Sequence, residues 1–305
     1  MAELWSRGGL GWDELVRRSW KEMWQDEVFG QAARLAFYFF LALIPSLLLF
    51  WLVLTKVAQA GIELRDLLSQ TLYQILPAQT PSLVSSALKQ GGALLGVRGL
   101  TLSIAGAFWA AVNGMWAMIA GLNAAYEVEE GRPKWQVLLI AAGLILVWAV
   151  LGLIALLMVV FGGQFSSLMG AHAWPILWRV IRAVVAIVVL LVAFAILYRF
   201  GPHLEEAELQ WSTPGAVAGV ALWILSAVLF RIYLQHFNSY DRLYGPLSSV
   251  AILLLWLYFS GAAILIGGEV NAVIEHAAAE KGSLKARAPG ERRPGEKRRS
   301  HRPTA

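Results

Sequence analysis

The chain has 305 residues, of which 58% are hydrophobic and only 15% charged, with a formal net charge of +5 and no cysteine. A soluble domain of this size cannot hide so much apolar surface, so lipid must cover much of it. Disulfides and cysteine-ligated metals are excluded.

Residues 12–29, WDELVRRSWKEMWQDEVF, place Trp12, Leu15, Val16, Trp20, Met23 and Trp24 on one helical face and Arg17, Arg18, Lys21 and Glu22 on the other. This predicts an amphipathic helix parallel to the membrane. It either sits at the headgroup boundary, where indoles keep their N–H groups wet, or packs on the protein's own surface. The first apolar run begins near Leu35, behind a charged segment and without a small-residue cleavage site, so it is expected to remain in the mature protein.

Six apolar segments, at about 34–57, 97–122, 135–161, 176–199, 213–236 and 247–273, are each long enough to cross a hydrocarbon core of roughly 30 Å. The expected fold class is all-α, a polytopic membrane protein of six transmembrane helices. Residues 1–33 form the amphipathic cytoplasmic part, 34–276 the membrane domain and 277–305 a disordered basic cytoplasmic tail. Most of the 25 lysines and arginines fall on the side that also carries both termini. By the positive-inside rule that side is the cytoplasm.

The connection 58–96 carries two short helical patterns. Leu64, Leu67, Leu68, Leu72 and Ile75 end at Pro77, and Leu83, Val84, Ala87 and Leu88 stop at Gly91–Gly92, which predicts a cap of two helices in the first outer loop. Pro45 should kink the first span. Small residues recur at four-residue spacing, as Gly106, Ala110 and Gly114 in the second span and Ala263, Gly267 and Asn271 in the last, so helix backbones should approach closely. Asn113 and Asn123 are expected to hydrogen-bond between helices rather than bind a ligand. The tail EKGSLKARAPGERRPGEKRRSHRPTA lacks the apolar residues to fold, and attraction to anionic lipid explains its charge better than nucleic acid does.

The runs LAFYFFLALIPSLL, LNAAYEVEEGRPKW and LYRFGPH, with the long stretch from Pro214 to Ala272, resemble the virulence-factor BrkB (YihY) family of bacterial inner-membrane proteins, which also carries an older ribonuclease BN label. The resemblance covers about residues 15–275. Its most specific parts run from Asn238 or Ser239 to Tyr244–Gly245 and across Gly268–Glu269–Val270–Asn271. It implies a six-span plasma-membrane protein, with transport or lipid export as the expected activity. Arg34 and Pro246 depart from the family pattern.

Chemistry has few places to reside. His172, His203, His236, His276 and His301 are scattered, and neither a P-loop nor a G-x-S-x-G motif is present. No cofactor, no metal and no catalytic residue are therefore expected, and the ribonuclease label finds no motif. Ionisable groups inside spans are costly and mark function by default. Glu269, with Asn271 nearby, falls near the cytoplasmic end of the last span, level with Arg34. Glu269 and Arg34 form either a structural ion pair or, with Asn271, the wall of a cavity that binds a proton or cationic group. Arg179, Arg182, Arg231 and Arg242 gather at the outer boundary against the charge rule. They either snorkel to headgroups or form a vestibule for an anionic lipid or solute. Membrane lipids are the expected partners. The two functions that fit are a transporter or flippase and a non-catalytic membrane scaffold.

Overall fold

The computed structural model describes residues 7–58, 97–168, 175–205, 214–236, 247–283 and 286–293. After a 3-10 turn at Arg7–Gly9 come seven helices: α1 (Trp12–Gln25), α2 (Val28–Ala58), α3 (Val97–Ala125), α4 (Lys134–Leu168), α5 (Pro175–Phe200), α6 (Pro214–His236) and α7 (Leu247–Glu280). Prolines mark several helix starts. Pro175 and Pro214 open α5 and α6, and Pro133 stands directly before α4; at these positions the missing N–H costs nothing, because first-turn donors have no partner within the helix.

Among the described residues five helices contain segments long and apolar enough to cross a membrane, namely Ile104–Ala125, Lys134–Ala155, Val180–Phe200, Pro214–Gln235 and Val250–Glu280. The expected first span corresponds to α2, a helix of 31 residues that continues through Pro45 and whose segment Val28–Leu43 is apolar but shorter. The expected cap helices at 58–96 lie outside the described residues. Each of α2 to α7 touches the next, and α7 closes the ring against α2 while also bracing α3 across it. Large apolar side chains such as Leu139, Leu146, Val188, Leu225 and Leu229 remain exposed around the ring, the surface that lipid covers.

Packing is tightest around α7. Its Gly261 faces Leu35 and the Ala32 carbonyl of α2, and its Gly268 faces Leu122 of α3. At the crossing with α6 the backbones of Gly267 and Gly215 meet, leaving no room for a Cβ on either. The Tyr198 hydroxyl of α5 reaches into this crossing and donates to the Ile264 carbonyl at 2.7 Å. Of this pair Gly267 belongs to the expected ladder of small residues, while Gly215 was not among those expected.

Two boundary expectations need correction. Helix α1 covers Trp12–Gln25, and the apolar arc expected on one face divides. Leu15, Ser19 and Met23 are buried, with Leu15 packed against Val273, Ile274 and Ala277 of α7. Trp12, Val16, Trp20 and Trp24, one turn apart, stay exposed. The second correction concerns the tail, which was expected to be disordered from residue 277. Helix α7 continues to Glu280, because the sequence HAAAE favours helix strongly. The chain then folds back: Ala286 packs on Ala278 and Ala279, and the buried Arg287 donates to Glu275 at 2.7 Å. Further on, the Glu205 N–H donates to the Arg292 carbonyl at 2.9 Å, and Arg293 pairs with Glu205. Residues 294–305 lie outside the described residues.

Candidate functional site

The site grows from α7, about three turns before its C-terminal end. Asn271 is buried, and its Oδ1 accepts the Gly215 N–H at 2.8 Å. That donor belongs to the first turn of α6 and has no partner in its own helix, so Asn271 acts as a cap delivered from a neighbouring helix. One residue pair earlier, Glu269 is fully buried, and no hydrogen bond reaches either carboxylate oxygen.

The expected pairing of Glu269 with Arg34 is not made: Arg34 points outward from α2 and is exposed. Depth and direction both differ: Gly261 of α7 is the residue that meets Ala32 and Leu35, so Arg34 lies about two turns from the level of Glu269. Ala32, Leu35 and Ala36 form the buried stripe of α2, and Arg34 lies about 100° away from Leu35 around the helix. The charged groups acting on Glu269 are instead acidic, with Asp26 first, then Glu22 and Glu127. Asp26 sits in the turn between α1 and α2, a turn secured by the Gln31 side chain, which donates to the Asp26 carbonyl at 3.2 Å. Burial pushes the Asp26 carboxyl up to about 6; interaction with Glu269 pulls it down, and the charges of Glu127 and Glu22 push it up. Glu127 is itself beside His276, at 3.9 Å. Tyr126, buried beside Asn271, is pushed well above its ordinary value, first by burial and then by Glu275.

The outer arginines are only partly described. Arg182 on α5 is half-buried, and its Nε is buried without a hydrogen-bond partner. Arg231 on the adjoining α6 is exposed. The side chain of Arg179 and all of Arg242 lie outside the described residues, as does the motif from Asn238 to Gly245.

A polar cluster that the sequence reading did not foresee ties two connections together. Asn123, expected to bond between helices, donates to Glu130 at 2.9 Å and accepts the His203 N–H at 2.7 Å. Arg132 grips Glu130 at 2.7 Å and 2.6 Å and also donates to the Gly201 carbonyl. Gly131 N–H donates to His203 Nδ1 at 3.0 Å. Burial alone would raise the Glu130 carboxyl, but the hydrogen bonds from Arg132 and Asn123 outweigh it and hold it at about 2. The runs LNAAYEVEEGRPKW and LYRFGPH carry these residues; their spacing along the chain gives no sign that they meet. Asn113, by contrast, bonds within its own helix, to the Trp109 carbonyl at 2.7 Å.

Among the described residues no group of three or more His, Asp or Glu is placed to hold a metal ion.

The family model described as virulence factor BrkB matches residues 19–291. The match therefore includes the folded-back segment up to Glu291. A ribonuclease-like protein named YfkH, from Bacillus subtilis (strain 168), is 36% identical over 255 residues, covering 80% of this chain and 89% of that protein. A UPF0761 membrane protein of Rhodospirillum centenum is 27% identical, covering 85% of this chain and 57% of its own length. One from Xanthomonas campestris pv. campestris (strain B100) is also 27% identical, with 82% and 58% covered. The chain thus spans little more than half the length of these two UPF0761 relatives. No solved structure matches the chain significantly.

Proposed function

We propose, from the premise that this chain belongs to the virulence factor BrkB family of membrane proteins, that it is a six-span bacterial inner-membrane protein that moves an anionic lipid or solute. Both termini face the cytoplasm, and α2 crosses as the first span, ahead of the other five. One observation carries the transport reading: Glu269 is fully buried in an apolar span with neither oxygen hydrogen-bonded. A group that costs stability and bonds to nothing is kept for something other than packing. Arg179, Arg182, Arg231 and Arg242 supply the outer anion vestibule, and the unsatisfied Nε of Arg182 supports that role. Trp12, Val16, Trp20 and Trp24 face the headgroups. We further propose that the protein is not an enzyme and that the name of its ribonuclease-like relative does not describe this chain.

A second reading, a non-catalytic scaffold that supports envelope integrity, is favoured by the glycine crossing of α6 and α7, which resembles static packing. Reconstitution separates the two. Proteoliposomes containing fluorescent phosphatidylglycerol should show faster exchange between leaflets than empty vesicles, and Arg182→Gln with Arg231→Gln should slow it. If wild-type vesicles match empty ones for anionic lipids and small organic anions, and the deletion strain keeps its lipid distribution, the transporter reading fails and the scaffold stands. Ribonuclease activity that copurifies through two columns and disappears in a point variant would overturn the non-enzymatic reading.

A further inference from the structure

We infer that Asp26 and Glu269 form a shared proton site that joins the α1–α2 turn to α7. The inference starts from geometry. Glu269 is 0% exposed, and neither of its oxygens has a hydrogen-bond partner, so the ionised form would leave a charge in an apolar interior with nothing to offset it. Such a charge costs several kcal/mol, and a proton removes that cost.

The charged and titratable groups around the site favour the same conclusion. From α1 comes Glu22, from the turn Asp26, and from the connection after α3 come Tyr126 and Glu127. On α7 itself are Glu275 and His276. His276 lies against Glu127 at 3.9 Å, while Arg287 from the folded-back segment is engaged by Glu275 at 2.7 Å. The groups acting directly on Glu269 are all acidic. Two carboxyls in one site cannot both ionise cheaply, and one proton between them turns repulsion into an O–H···O bond.

The site would act on position. With the proton present, the turn can rest against α7. Without it, two negative charges push the turn, and α1 with it, away from the bundle. Naming the proton as the ion that drives movement of substrate rests on the transport reading; the site itself does not.

The test uses the full chain in nanodiscs of phosphatidylethanolamine and phosphatidylglycerol, followed by infrared difference spectroscopy between pH 4 and pH 9. Wild type should show the C=O stretch of a protonated, non-exchanging carboxyl at pH 7. Glu269→Gln should lose it entirely, and Asp26→Asn should retain it while shifting its titration by at least tenfold in proton concentration. Both variants are neutral isosteres and should fold. Should either fail to, Asp26→Asn or Glu269→Gln alone still reports on the band. A wild-type spectrum without the band at pH 7, a band unchanged in both variants, or a band removed by sodium at constant pH would overturn the site. A band together with no flux at any pH supports the site and removes the transporter reading.

Discussion

Gly215→Ala offers the sharpest test of how the bundle is held together. A Cβ at this position would stand 2.5 Å from Asn271 Cγ and closer still to the Gly267 carbonyl oxygen, which is backbone and cannot swing aside. Ordinary contact needs about 3.4 Å or more, so α6 and α7 must part by roughly 1 Å along their crossing. Overpacking of this kind costs about 1–3 kcal/mol. The separation also strains the 2.8 Å bond from the Gly215 N–H to Asn271, worth about 1 kcal/mol, for a total near 2–4 kcal/mol. Gly143→Ala in α4 is the matched control. Nothing lies within 4 Å of a Cβ there, so the added methyl should be neutral or stabilise the helix by up to about 1 kcal/mol. Thermal unfolding of both variants in the same detergent, followed by circular dichroism, should place Gly215→Ala roughly 5–10 °C below wild type and Gly143→Ala at or above it. Equal melting of the two would falsify the close crossing.

The other predictions concern charge. Arg287→Ala should cost about 3 kcal/mol by leaving Glu275 nearly buried and unpaired, whereas the double replacement Arg287→Met with Glu275→Leu should come back close to wild type in the same melting assay. The Asp26 carboxyl, raised from 3.8 to about 6, binds its proton more tightly in the folded protein, so its contribution is complete below about pH 4 and fades as pH rises through 6. A dry site would make that about 3 kcal/mol; because Asp26 is only half-buried, roughly 1 kcal/mol is expected, and Asp26→Asn should flatten melting temperature against pH across this window. Glu130 works in the opposite sense: held at about 2, it stabilises above pH 4.5 and loses that contribution as pH falls toward 2. Asn123→Ala removes one of its donors and also frees the His203 N–H, which should start acid unfolding at a higher pH by a fraction of a unit.

Hydropathy made the helices legible, and it located their cores better than their ends. The last span was expected to stop near residue 273, where polar residues begin, yet α7 runs to Glu280, and Asn271, Glu275 and His276 all find partners on neighbouring segments. Composition likewise misjudged residues 281–293. A window rich in Gly, Pro and Arg holds too few apolar groups to fold alone, but Arg287 meets a carboxylate presented twelve positions earlier by a finished helix, and no window of the sequence contains both that helix and its fold. Glu269 stood out as a rare acid in an apolar run, and its burial follows from that. The choice of Arg34 as its partner failed because hydropathy fixes neither the register of two packed helices nor direction: α7 meets Ala32 and Leu35 at Gly261, eight positions before Glu269. The turn-by-turn phase of Ala32, Leu35 and Ala36, already present in the sequence, points Arg34 away.

That difference in direction changes what the acid can do. An Arg34–Glu269 pair would have locked α2 to α7 at one fixed height, a clamp with little response to conditions. The observed neighbour, Asp26, belongs to a turn, and the turn leads directly into α1, the helix whose inner stripe is seated on α7 and whose outer row is Trp12, Val16, Trp20 and Trp24. The polar contacts along α1 differ in kind. Arg18 bridges Glu14 and Glu280 at 2.8 Å and 2.9 Å on the exposed side, where salt and water weaken such pairs. Near the turn the charged groups acting on Asp26 and Glu269 are acidic. The buried stripe of Leu15 and Met23 seats α1 along its length, so in the proposed proton site it is the turn that responds to pH. On that proposal the buried acid acts on the turn leading into α1, which a partner on the wall of α2 would not have allowed.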